Sequence, residues 1–117
     1  MRKYLDIPIT LIVTLTLTVA MLWPLDAPPP APNGSDKVLH LIAFAALSFP
    51  LARTKRFGLI PVFIGGSVFG GIIEAVQPSF GRSADLQDLF ADILGVGFGI
   101  AMALFYRRLS TSSINKT

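Results

Sequence analysis

Between Gly70 and Gly99 the chain reads GGIIEAVQPSFGRSADLQDLFADILGVGFG, which sets Glu74, Gln77, Arg82, Asp85, Asp88 and Asp92 into strongly apolar surroundings. Four of the seven acidic residues of the protein fall in this stretch, and the lone histidine, His40, lies upstream in a second apolar run. An ionisable side chain beside hydrocarbon is costly, so function is its default explanation. The chemistry these types can perform is proton transfer and anion binding. His40, Glu74, Asp85 and Asp88 form the candidate catalytic acid–base set, an imidazole beside carboxylates being a suitable general base. Asp36, Lys37, Gln77, Arg82 and Asp92 are the candidate substrate-binding groups, with the Arg82 guanidinium able to grip a phosphate or carboxylate in two places. No metal is assigned and no cofactor is required; one histidine among carboxylates would suit Mg²⁺ or Mn²⁺ better than Zn²⁺. The sequence has no G-x-S-x-G, no H-E-x-x-H and no P-loop, so the reaction type stays open.

Something must hold these groups in an apolar setting, and the composition says what. Of 117 residues, 52% are hydrophobic and only 15% charged, against about 25% charged in an ordinary soluble domain. That deficit points to a membrane protein. Absence of cysteine excludes a disulfide framework, a thiolate zinc site and a cysteine nucleophile. The net charge of +3 does not mark a nucleic-acid binder, because no basic stripe alternates with aromatics.

Four helical spans are expected. Ile7–Leu25 is a charge-free run of nineteen residues, roughly 28 Å as a helix and close to the hydrocarbon thickness of about 30 Å. Its rival reading is a cleaved signal peptide, given Arg2 and Lys3 ahead of it, but the run is long for one and no small-x-small site follows. Residues 26–35 form a proline-rich linker outside the cytoplasm, stiffened by three consecutive prolines and turned at Asn33-Gly34. The second span covers about 36–52, capped by Ser35 or Asp36, with Pro50 kinking or fraying its last turn. A basic loop of Arg53, Lys55 and Arg56 follows. The third span covers about 57–77 and stops at Pro78; the fourth covers about 86–106, with a frayed polar tail over 107–117. The whole chain, 1–117, reads as one domain: an all-α polytopic bundle of four transmembrane helices.

Eight of the ten Lys and Arg residues fall at the termini and in the basic loop, leaving Lys37 and Arg82 for the other side. The positive-inside rule then puts both termini in the cytoplasm and the polar groups toward the outside. Counted from the cytoplasmic ends, His40, Glu74 and Asp92 rise by roughly 18, 26 and 21 Å, converging on the outer part of the bilayer. Small residues at a spacing of four, Gly66 and Gly70 on the third helix and Ala91, Gly95 and Gly99 on the fourth, with Ala103 continuing the stripe, let the backbones approach closely. The GVGFG run is read as packing and not as a nucleotide loop, since it follows no strand.

The pattern Asp36-Lys37-x-x-His40-x-x-x-Phe44, Gly70-x-x-x-Glu74-x-x-Gln77 and Arg82-x-x-Asp85-x-x-Asp88-x-x-x-Asp92-x-x-Gly95 resembles the VanZ-like family of small bacterial membrane proteins. The resemblance covers about 36–100; the first helix and the linker carry none of its motifs. It departs at Asp92, where the family usually shows Asn. What it implies is a bacterial inner-membrane location. The founding member is associated with teicoplanin resistance, a property the resemblance does not carry to this chain.

Three function classes are open on the residues alone. One is a site at the outer face that acts on or binds a lipid-linked or cell-envelope substrate. Another is a structural cluster that orders the bundle, with Arg82 paired to Glu74 or Asp85 and His40 to Asp36 or Asp88. The third is binding or transport of a cationic ligand or protons. The partners expected are membrane lipids, the envelope substrate and, as an open option, further copies of the chain.

Overall fold

In a computed structural model, residues 5–23, 35–54, 57–80 and 86–115 are described, the side chains of 35–36 and 111–115 excepted. They form helices α1 (Asp6–Leu22), α2 (Ser35–Arg53), α3 (Leu59–Val76) and α4 (Leu86–Asn115), with a short 3₁₀ turn (Gln77–Phe80) extending α3. There is no strand among the described residues.

The helix ends follow local chemistry. Trp23 precedes Pro24, whose ring disfavours helical torsions in the residue before it, and Trp23 is accordingly extended. Gly58 turns the chain into α3, with Val62 N–H donating to its carbonyl at 3.3 Å, and Pro61 sits in the first turn, where no amide donor is needed. At Pro78 the α-helix gives way to the tighter 3₁₀ turn. Pro50 lies inside α2 and does not end it: the helix runs on to Arg53, which is therefore helical and not part of a loop. Likewise α4 does not stop at Tyr106. No Gly or Pro follows Gly99, so nothing local breaks the helix where the apolar run ends, and it continues to Asn115.

The helices alternate in direction. Along α2 and α4, contacting residues climb together, from Lys37 with Asp88, through His40 with Asp92, to Ala52 with Arg107, so these two helices are parallel. Along α3 and α4 the order reverses, Gly66 meeting Val96 and Gly70 meeting Asp92. In α1, Asp6 meets Thr54 at the end of α2, and Met21 meets Gln77 at the end of α3. Four elements thus run up, down, up and down.

The α2–α4 seam is the most extensive contact. It is made by the glycines of α4: a Cβ on Gly95 would collide with the Leu41 carbonyl, and one on Gly99 with Ser48 and the Ala45 carbonyl. Ala91 and Ala103 are buried on the same stripe. On α3, a Cβ at Gly66 would stand 2.8 Å from a Val96 methyl. Close backbone approach of this kind substitutes for a hydrophobic driving force between helices in lipid. Two apolar clusters fill the interior, one around Phe44, Leu47, Ile73 and Val96, the other around Ala52, Val62 and Ala103.

Outside, the surface is apolar. Ile60, Leu86, Phe90 and Leu94 are among many large hydrophobic side chains left mostly exposed. Leu59–Phe80 and Leu86–Ser110 are long and apolar enough to cross a membrane, and only about a third or less of each window is buried. Core helices of a soluble protein would be mostly buried, so this exposure favours a lipid surround. By that criterion α1 is a shorter apolar helix.

Candidate functional site

Three helices each send one ionisable side chain to a common point. His40 comes from the second turn of α2, Glu74 from the last turn of α3 and Asp92 from the second turn of α4. His40 Nδ1 lies 2.7 Å from Asp92 Oδ1 and 3.9 Å from Glu74 Oε1. One ligand-type atom from each lies within 4.8 Å of the others, and all three residues are buried. Phe44, one turn below His40 on the same face and fully buried, closes the site from the apolar core and packs on Phe69 at 5.7 Å between ring centroids.

The helix registers explain why the three meet. Gly95 seats α4 against Leu41, the residue after His40, and that brings Asp92 level with the imidazole. Gly70, one turn before Glu74, lets α3 close on the same point: a Cβ there would stand 3.0 Å from Asp92 Cβ and 3.1 Å from Asp92 Oδ2. Asp92 is fully buried, and its Oδ2 has no hydrogen-bond partner among the described residues.

A second pair borders the first. Lys37 Nζ lies 3.4 Å from Asp88 Oδ1, one turn earlier along both α2 and α4, and the lysine side chain is 31% exposed. A charge-assisted contact at this length is loose. It stands between the buried triad and the helix starts.

Among the described side chains, His40 therefore does not pair with Asp88. Its partner is Asp92, because the α2–α4 register offsets the aspartate ladder by one turn. Asp88 takes Lys37 instead. Gln77 is buried, but its amide donates to the Met21 carbonyl at 3.1 Å, which fastens α1 to the end of α3. Its Oε1 has no hydrogen-bond partner among the described residues. Arg82 and Asp85 lie outside the described residues, as does the Asp36 side chain, and with them the pairing of Arg82 with Glu74 or Asp85.

Sequence reasoning missed three polar residues elsewhere. Asp6 is fully buried and accepts the Thr54 hydroxyl at 3.2 Å, and Ser48 donates to the Val96 carbonyl at 3.0 Å across the α2–α4 seam. Asp6 reads as the boundary of an apolar run and Thr54 as loop, so neither calls attention to itself. Ser48 stands two turns beyond His40 on one helical face, a spacing that could have marked it.

A family model described as VanZ/LLP1 matches residues 5–107. The match takes in α1 and the linker, beyond the 36–100 that carry the polar motifs. Among curated proteins none matches the chain, and among solved structures none matches it.

Proposed function

We propose, since the chain belongs to the VanZ/LLP1 family, that it is a four-span protein of the bacterial inner membrane whose polar site binds or acts on a lipid-linked or cell-envelope substrate. The observation that carries this reading is the gathering of His40, Glu74 and Asp92 from three helices within 4.8 Å. Holding helices together needs pairs; it does not need an imidazole and two carboxylates at one point. The exposed apolar flanks suit lipid tails, and the triad with Lys37 and Asp88 beside it suits a polar headgroup. Both termini are cytoplasmic in this reading and the site faces outward. It is supported by the eight-to-two split of basic residues and by the alternating helix directions.

In such a site Lys37 or Arg82 would draw in an anionic headgroup, and the triad would handle the reacting or recognised group out of bulk water, where electrostatic contacts are stronger. A relay of protons or cations across the whole membrane is less well supported. Below the triad the interior is occupied by Phe44, Leu47 and Val96, and further on by Ala52, Val62 and Ala103. The bundle-ordering reading is favoured by one observation, the 2.7 Å His40–Asp92 contact across the most extensively packed helix pair.

Native mass spectrometry of the detergent-purified chain with a polyprenyl phosphate and with phosphatidylglycerol tests the substrate reading. Wild type is expected to retain the polyprenyl phosphate, and Glu74→Gln and Arg82→Lys to lose it while unfolding at an unchanged temperature. Equal retention by the variants would overturn it. Topology is tested separately with Ser79→Cys and Ser110→Cys, both exposed. Labelling of Ser79→Cys from outside intact cells and of Ser110→Cys only after permeabilisation is expected; the reverse pattern would sink it.

A further inference from the structure

We infer that His40, Glu74 and Asp92 form a binding site for one first-row divalent cation of the Mn²⁺ or Zn²⁺ type. Bonds of about 2.1 Å from nitrogen and carboxylate oxygen put ligand atoms about 3 to 3.5 Å apart. The observed separations of 2.7 Å and 3.9 Å from His40 Nδ1 bracket that range. A cation would replace the direct 2.7 Å contact between His40 Nδ1 and Asp92 Oδ1, and a small movement of Glu74 would bring it in as the third ligand.

Charge and coordination both fit. With a neutral imidazole and both carboxyls ionised, the three side chains carry two negative charges, which one divalent cation cancels in a place where unbalanced charge is costly. Asp92 Oδ2 supplies the independent sign of a missing partner: a carboxylate oxygen of a fully buried residue, with no donor among the described residues. It faces the hollow left by Gly70, where a Cβ would stand 3.1 Å away. An oxygen so placed can complete a two-point carboxylate grip. The donor set selects among metals. Among several carboxylates one histidine favours Mg²⁺ or Mn²⁺, but only two carboxylates join His40 here. Ca²⁺ wants six to eight oxygens and Mg²⁺ holds its water and prefers oxygen, so this smaller set suits Mn²⁺ and also admits Zn²⁺. The half-buried Lys37–Asp88 pair, one turn toward the helix starts, marks the way in.

Cation binding at the triad does not depend on the identity of any substrate. The test uses the full chain in detergent, stripped with EDTA and titrated with Mn²⁺, free metal being followed by electron paramagnetic resonance. One bound Mn²⁺ per chain is expected, with Glu74→Gln and Asp92→Asn each weakening it by at least about tenfold. Thr54→Val, at the far end of the bundle, should bind as wild type does. Thermal unfolding provides a readout that needs no variant: Mn²⁺ or Zn²⁺ in about hundredfold excess over Kd should raise the unfolding temperature of wild type by mass action. Failure of wild type to bind either metal saturably up to about 1 mM, a free energy near 4 kcal/mol, would overturn the inference, as would equal affinity in both triad variants. If the triad variants lose metal but keep the polyprenyl phosphate, the cation site stands and the substrate reading falls.

Discussion

Two fully buried aspartates, Asp6 and Asp92, stand at opposite ends of the bundle and are served differently. Asp6 sits where α1 begins and α2 ends. The Thr54 hydroxyl, shared with the Leu51 carbonyl, reaches its Oδ2, while Arg107 donates to the Ala52 carbonyl at 3.4 Å and Arg53 lies 5.8 Å from the Tyr106 ring centroid. These partners belong to helix termini or last turns. Asp92 instead draws on residues from two other helices, gathers a second carboxylate, and keeps one oxygen without a partner among the described residues. The first arrangement is a clamp made from whatever polar group lies nearest. The second concentrates like charge, which no clamp requires.

That contrast can be broken at three levels. The largest effect is expected from Gly99→Leu, because the added side chain meets the Ser48 side chain and the Ala45 backbone on which both ends depend. A loss of more than about 3 kcal/mol is expected, above the usual cost of overpacking because backbone must move. Chemical unfolding in mixed micelles would measure it, and a stable, folded variant would remove the seam from the account.

Next come the triad variants. Asp92→Asn and Glu74→Gln keep shape and remove charge, so ligand retention should be lost while stability moves by no more than about 1 kcal/mol. Were His40–Asp92 only a structural pair, breaking it would cost about 3 to 5 kcal/mol, and the unfolding curve would show it. Thr54→Val should behave in the opposite way. It removes one hydrogen-bond donor from the buried Asp6 carboxylate, for about 1 kcal/mol or somewhat more, and leaves ligand retention untouched. The smallest effect is assigned to Ser48→Ala, which removes one hydrogen bond across the seam and should cost about 1 kcal/mol.

Much of the frame was legible in the residues. Apolar runs gave α1, α2, α3 and the start of α4 to within a few residues but missed the end of α4, which runs on through the polar tail to Asn115. The four-residue spacing of Gly95 and Gly99 fell on the surface that meets α2. The site was legible as a set of types: His40 does meet carboxylates of α3 and α4. Its pairing was not legible. Which aspartate faces the imidazole depends on how far α4 slides along α2, and periodicity fixes a face, not a height. Counting rises along the helices did bring His40, Glu74 and Asp92 to one region, where their side chains meet. The count left an offset of about 8 Å between His40 and Glu74, which their side chains bridge to a 3.9 Å approach. Asp6 was overlooked because a single polar residue at the edge of an apolar run carries no pattern, whereas Ser48 shares a helical face with His40 two turns away and could have been marked by that spacing.

The parallel seam between α2 and α4 has a mechanical consequence. With the Leu41 and Ala45 carbonyls seated over Gly95 and Gly99, the two helices are indexed like a rack and pinion, one tooth per turn. Slipping by a single residue would shift α4 by about 1.5 Å and rotate its side chains away. The 2.7 Å contact between His40 and Asp92 would then open past hydrogen-bonding range. The same slip would draw Arg107 off the Ala52 carbonyl at the other end. A displacement at the tail of α4 would therefore be felt at the triad without any intermediate relay, because one stiff rod carries both.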